Sequence, residues 1–381
     1  MLIRVALLAA VLAASAPAQS TAPRDTLAPQ PGALTPISRP KVVRGLYVNR
    51  WAVLGKRVWE LIDVARRTEV NALVIDVKDD RGYVLYRSSV PLARQIGADT
   101  TMPVSASRMR AILDTMRANG VFPIARIVVA KDPILAEAKR EWAVQRRTDG
   151  APWLDKDGKP WLDPHQRGIW TYAADLADEA VRLGFSEVQY DYVRFPDEQR
   201  LVREAMFPLA KGRQRAQVIR EQLGYLRARL APSKVPVAID VFGLTTSDST
   251  DMGIGQRWEQ FADQADFVLP MTYPSHYARP TYGIANPNAK PYATIDRAMR
   301  DALARNRGIA KAAEIVPWYQ DFTLGAPRYG VTQLRAQMQA GYDNGIRSWM
   351  LWNAGSKYTV AAFRPEILSA DDEAAKTRSP R

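Results

Sequence analysis

The 381-residue chain contains no cysteine and only two histidines, His165 and His276. The first absence excludes disulfides, thiolate metal sites, iron–sulfur clusters and cysteine nucleophiles; the second excludes a zinc centre built from several imidazoles. Any metal would be a hard cation on oxygen ligands, and no motif calls for a metal or a cofactor. The segment Asp155-Lys156-Asp157-Gly158 lacks the spacing and closing Glu of a calcium-binding EF-hand and reads as a turn. No G-x-G-x-x-G phosphate loop follows the first apolar run. Basic residues are plentiful, giving a net charge of +13 and a pI near 9.9. They form no run of five or six, so the charge reads as a diffuse basic surface, compatible with an anionic polymer but not a specific nucleic-acid site. After the N-terminal segment, no apolar stretch approaches the roughly 20 residues of a membrane span.

That N-terminal segment places Arg4 before an apolar run over 5–14 and then Ala16-Pro17-Ala18, the small-x-small form of a signal-peptidase site. The expectation is a signal peptide over 1–18 and an exported protein, periplasmic or secreted. Residues 19–40, rich in Pro, Ser, Thr and Ala, read as a flexible leader, and 370–381 as a disordered charged tail.

Between these lie eight short apolar or β-branched runs: 45–49, 72–77, 122–129, 187–190, 235–241, 266–271, 313–318 and 348–352. Amphipathic helical stretches alternate with them at about 56–68, 105–119, 168–184, 212–230, 255–264, 293–306 and 331–344. Strand–helix alternation means a parallel sheet, and eight strands close a TIM (β/α)8 barrel with extended βα loops, spanning 41–369. A doubly wound open sheet is the alternative.

In such a barrel, chemistry sits at the C-terminal ends of the strands. Asp76 and Asp79 follow the second run, Asp191 the fourth, Asp240 the fifth, and Asp321 trails the seventh. Asp191 sits between two tyrosines with Arg194 three residues on, an arrangement that suits either a catalytic carboxylate or a structural ion pair. Asp240 interrupts an apolar run where the strand should emerge, and burial there would raise its pKa as a general acid requires. Lys78, two residues beyond Asp76, is positioned for a salt bridge or a substrate contact. Tyr273, Trp318, Tyr319 and Trp352 fall at strand ends, where aromatic faces suit sugar rings, although each alone fits a core role equally. Two connections are long. Residues 131–164 carry Asp-Gly turns flanked by Trp153 and Trp161, a small hairpin over the mouth; 273–292 carry Tyr273 and His276.

The segments 44–48, 72–82, 161–164, 189–196 (QYDYVRFP), 269–274 and 349–355 resemble, in order, the bacterial putative glycosyl hydrolase domain family, a group of TIM barrels distantly akin to α-amylases and α-galactosidases. The resemblance covers about 41–365. It implies that Asp191 is the nucleophile. Amylase-like barrels place a Glu after strand five, where this chain has Asp240. The expectation is therefore an exported glycoside hydrolase of an envelope or extracellular polysaccharide, retaining in mechanism. Asp191 and Asp240 are the catalytic pair, with Asp76, Lys78, Trp153, Trp161, Arg194, Tyr273, His276, Trp318 and Trp352 around the substrate. Arg194 would keep Asp191 ionised. The rival readings are a non-catalytic glycan-binding barrel and a basic envelope protein that binds anionic polymer by charge alone.

Overall fold

The computed structural model describes residues 35–198 and 201–364. The expected signal peptide, the expected leader up to residue 34 and the expected tail lie outside that range. Among the described residues no helix is long and apolar enough to cross a membrane.

Eight parallel strands form the barrel: β1 (Arg44–Val48), β2 (Ala72–Lys78), β3 (Phe122–Val128), β4 (Glu187–Asp191), β5 (Val237–Phe242), β6 (Phe267–Met271), β7 in two pieces (Glu314–Ile315 and Trp318–Gln320) and β8 (Trp349–Trp352). Each pairs with the next, and β8 pairs with β1 (Arg44 opposite Trp349), so the sheet has no open edge and the doubly wound alternative is excluded. The expected continuous seventh strand is broken at Val316-Pro317. Pro317 has no N–H to give the ladder; its carbonyl still accepts from Met350, and Trp318 resumes pairing with both β6 and β8.

Helices Arg57–Arg67, Ala106–Ala118, Arg167–Leu183, Arg215–Leu230, Pro291–Asn306 and Val331–Asp343 lie close to the expected segments, whereas 255–264 yields only the single turn Trp258–Phe261. Gly184, Gly120 and Gly345, all at positive φ, turn the chain out of three of them.

The strand pleat separates two cores. Outward residues such as Leu73, Ile75, Ala125, Ile127, Val188, Ile239 and Val268 pack under the helices. Inward ones, among them Val74, Ile124, Ala238, Leu269, Trp318 and Met350, fill the barrel. The floor is closed by the chain before β1. Ile37 packs against the inner core and its N–H bonds Ser186 Oγ, while Arg39 pairs with buried Glu187 at 2.7 Å and covers the Phe267 ring. The last residues of the expected flexible leader are thus held against the barrel.

Candidate active site

Inward parity, carried upward along each strand, decides which polar groups meet at the mouth. In β2 the inner positions run Ala72, Val74, Asp76; in β3 Phe122, Ile124, Arg126; in β4 Glu187, Gln189, Asp191; and in β5 Ala238, Asp240. Asp76 stands opposite Arg126 in the register, and Arg126 opposite Gln189. Asp76, Arg126, Asp191 and Asp240 are buried yet line a cleft of about 1070 Å³ in the mouth of the barrel, and Gln189 lies buried beneath them.

Arg126, which the sequence reading passed over, is the centre of this cluster. Its Nη2 and Nε donate to Asp191 Oδ2 at 2.5 and 3.1 Å, its Nη1 donates to Asp76 Oδ1, and its Nε lies 3.7 Å from Asp240 Oδ2. Asp191 and Asp240 therefore share one guanidinium nitrogen, so their Oδ2 atoms are no farther apart than the two legs of that triangle, about 7 Å. This lies inside the roughly 10 Å limit for a glycosidase carboxyl pair. Asp191 Oδ1 also accepts from the Tyr192 N–H at 2.5 Å. Tyr192 adopts φ 53°, a left-handed conformation costing about 1 kcal/mol or more in a non-glycine residue, so the chain turns sharply just after the carboxylate.

Asp240 sits in a different environment. Gln189 Nε2 donates to both its oxygens (2.7 and 2.9 Å) and Trp318 Nε1 to Oδ1 (2.7 Å). Burial, reinforced by the neighbouring Asp191 charge, raises its pKa well above the ordinary carboxylate value despite those donors and Arg126. Asp76 is pushed up to about 6, chiefly by burial, with Arg126 and the Tyr47 hydroxyl opposing. Both Asp76 oxygens are engaged, one by Arg126 and the other by Tyr47 Oη at 2.5 Å, so Asp76 holds the arginine and the tyrosine. The Tyr47 ring in turn stacks on Trp352, centroids 4.0 Å apart.

Several expected site residues are placed elsewhere. Arg194 makes no bond to Asp191. It bonds the Phe195 carbonyl and Asp197, and its guanidinium stacks against Trp161, Tyr192 and Phe242, on the cleft wall. Strand periodicity would in any case set Arg194, three residues on, on the face opposite Asp191, and the left-handed turn at Tyr192 ends the strand before it. Lys78 is absent from the cleft: a bulge between Asp76 and Lys78 sets Lys78 opposite the outward Ile127, and its ammonium pairs with buried Asp132 at 2.6 Å. Trp153 is buried beneath the hairpin, its Nε1 bonded to the Leu201 carbonyl, and does not line the cleft. Asp321, held by the Thr359 N–H and hydroxyl, is likewise outside it.

Trp161, Tyr273, His276, Trp318 and Trp352 do line the cleft. The 131–164 connection forms the expected hairpin, with bridges Ala143 to Leu162 and Leu154 to Pro160, and positive-φ turns at Gly150 and Gly158. Asp155 organises the second turn, accepting from the N–H groups of Asp157 and Lys159 and from Trp161 Nε1. Among the described residues, no three acidic or histidine side chains converge as a metal site would require.

A closed parallel barrel with buried carboxylates at the C-terminal ends of its fourth and fifth strands is a TIM barrel with polar groups gathered where such barrels carry their active sites. The model of the family described as "Putative glycosyl hydrolase domain" matches residues 45–358, and the chain belongs to that family. Among solved structures, the glycoside hydrolase domain of PgaB (BpsB) from Bordetella bronchiseptica matches with a TM-score of 0.58 at 15% identity, over 88% of this chain and 98% of that one. α-L-fucosidase isoenzyme 2 from Paenibacillus thiaminolyticus gives 0.54 at 12% identity, over 85% and 48%. A hypothetical protein from Ruminiclostridium thermocellum is 38% identical over 51% of this chain and 97% of that one, with a TM-score of 0.46. The two glycosidase matches, at such low identity, share the barrel fold. No curated protein matches the chain.

Proposed function

We propose that the protein hydrolyses glycosidic bonds of an envelope or extracellular polysaccharide by a retaining mechanism, after export directed by its N-terminal segment. The observation that carries the reading is the pair Asp191 and Asp240: two carboxyl groups on adjacent strands, sharing Arg126, in environments of opposite character. Asp191, ion-paired to Arg126, is the nucleophile; Asp240, its pKa raised by burial and by Asp191, is the proton donor. In the first step Asp191 attacks the anomeric carbon while the glycosidic oxygen leaves with the Asp240 proton. In the second, ionised Asp240 takes a proton from water, whose oxygen attacks the same carbon and frees Asp191.

The net charge of +13 is not gathered at this site. Eight acidic side chains line the cleft against six from Lys and Arg, so with Asp240 protonated the lining carries little net charge, which favours a neutral glycan over the anionic polymer that composition alone would suit. The decisive experiment is product analysis after incubating the purified protein with chitin, cellulose, xylan, peptidoglycan and bacterial exopolysaccharides. Release of shortened chains is expected, and no release from any of them overturns the hydrolase reading.

The raised pKa of Asp240 predicts the basic limb of the pH profile. As pH rises through that pKa the acid loses its proton, so kcat/KM falls. In Asp240→Asn, residual cleavage of a p-nitrophenyl glycoside, whose leaving group needs little protonation, should show no such limb. Persistence of an unchanged limb would assign the acid to another group.

The hairpin gives a second prediction. Trp161→Ala should raise KM about tenfold, because the ring forms cleft wall, and should also cost about 3–5 kcal/mol of stability, because the rest of the ring is buried. Trp153→Ala should cost a similar amount, about 3–5 kcal/mol, with KM nearly unchanged, because its ring does not line the cleft. Thermal melts beside initial-rate kinetics read both.

A further inference from the structure

Large apolar side chains exposed to solvent are few among the described residues, and three of them stand on the rim of this one cleft: Trp51 (52% exposed), Leu244 (36%) and Leu324 (54%). Their positions follow from the topology. Trp51 lies three residues beyond β1, Leu244 two beyond β5, and Leu324 four beyond the second piece of β7. In a closed ring of eight strands the first and fifth are diametrically opposite, so Trp51 faces Leu244 across the mouth. Asp191 lies on the arc between them, Asp240 on the strand that leads to Leu244, and Leu324 on the opposite arc, two strands from either. Met252 also lines the Leu244 side.

An exposed indole costs solvation unless something covers it, and clustered apolar rims mark binding surfaces. Neither side of the rim is needed to hold the carboxylates, which are secured by Arg126, Gln189, Trp318 and Tyr192. The cleft, about 1070 Å³, is also at the upper end of the roughly 300–1,000 Å³ typical of single small-ligand sites. Trp51 offers a flat face with a polar edge, the shape that stacks on the C–H face of a pyranose.

We infer that the cleft takes a glycan chain laid across the whole mouth, one arm stacked on Trp51 and the other resting on Leu244, so that the carboxylate pair meets an internal linkage. The protein is then an endo-acting enzyme whose affinity depends on chain length. The inference rests on the proposed hydrolase reading and adds to it the form of the substrate.

The test compares Trp51→Ala, Trp51→Phe and Leu244→Ser with the wild type. The probes are the di- to octasaccharides prepared from the polysaccharide cleaved in the panel, with the p-nitrophenyl monosaccharide glycoside of the same sugar. Trp51→Ala should raise KM for the octasaccharide about tenfold, leave its kcat within twofold, and change KM for the p-nitrophenyl glycoside less than twofold. Trp51→Phe should restore most of the loss, which a merely structural role would not predict. Leu244→Ser should likewise weaken long substrates more than short ones. Equal effects on long and short probes, or none on the octasaccharide, overturn the crossing-chain inference while leaving the hydrolase intact. Titrating chito- and cello-octasaccharides into Asp191→Asn reads the same arms as Kd without turnover. There, binding weakened by Trp51→Ala in a protein that cleaves nothing would sink the hydrolase and uphold the platform, and absence of any octasaccharide binding would sink the platform.

Discussion

Asp191→Asn is expected to lower kcat on the cleaved polysaccharide by roughly 10⁴-fold or more while changing oligosaccharide Kd by less than about threefold. The amide keeps the shape of the carboxyl group and can still accept from Arg126 through its oxygen, so the floor of the cleft should persist. It cannot act as the nucleophile, and two other carboxylates that strand ends suggested are engaged: Asp76 by Arg126 and Tyr47, and Asp321 by Thr359 outside the cleft. Asp240 can still protonate a leaving group, so the deficit falls on glycosyl-enzyme formation and not on binding. Azide, a small anion that fits the space left by the missing charge, should partly restore turnover and give a glycosyl azide of inverted configuration. Turnover within tenfold of the wild type would remove Asp191 from the mechanism. Loss of binding equal to the loss of kcat would return it to a structural role.

Both carboxylates of this pair were legible as strand ends because the chemistry sits where an apolar run stops. The pleat then fixes their direction: Gln189 and Asp191, or Ala238 and Asp240, share one face by a spacing of two. Arg126 follows the same rule, two residues beyond Ile124 and four beyond Phe122, and its trace was a lone charge inside FPIARIVV. Length and composition of that run announce a strand, and only parity announces that the charge points into the barrel. Lys78 obeys the same arithmetic and yet leaves, because the bulge at Val77 moves it out of phase, and nothing in ALVIDVKDD marks a bulge. Arg194 lines the cleft as expected but does not pair with Asp191, because a spacing of three puts it on the other face and a left-handed tyrosine ends the strand before it. Trp153 and Trp161 occupy equivalent-looking places beside two Asp-Gly turns. Which of them faces the cleft depends on how the hairpin docks, a long-range choice that involves Leu201 and Tyr192.

Arg126→Met is expected to destabilise the protein by about 3–5 kcal/mol at pH 7 and to remove most activity. Methionine fills much of the same volume, so the cost is electrostatic: it withdraws the one cation that Asp76, Asp191 and Asp240 share and leaves three buried carboxyl groups facing each other. Arg126→Lys keeps a charge but not the fork. A single ammonium cannot reach Asp76 and Asp191 in the way that Nη1 and Nη2 do, so only partial recovery is expected. The pH dependence distinguishes this account from simple loss of packing. Without the guanidinium, the folded-state pKa values of Asp76 and Asp240, already raised, must rise further above those of the unfolded chain. The folded state then binds more protons than the unfolded state over the interval between the two sets of values. Stability contributed by the protonated forms is present at low pH and is lost as pH rises through the folded values. Urea unfolding of Arg126→Met and wild type should therefore show a gap that is small near pH 5 and widens toward pH 8. A gap independent of pH would make Arg126 a packing residue, and a gap that narrows with rising pH would reverse the sign on which its role as the shared counter-ion depends.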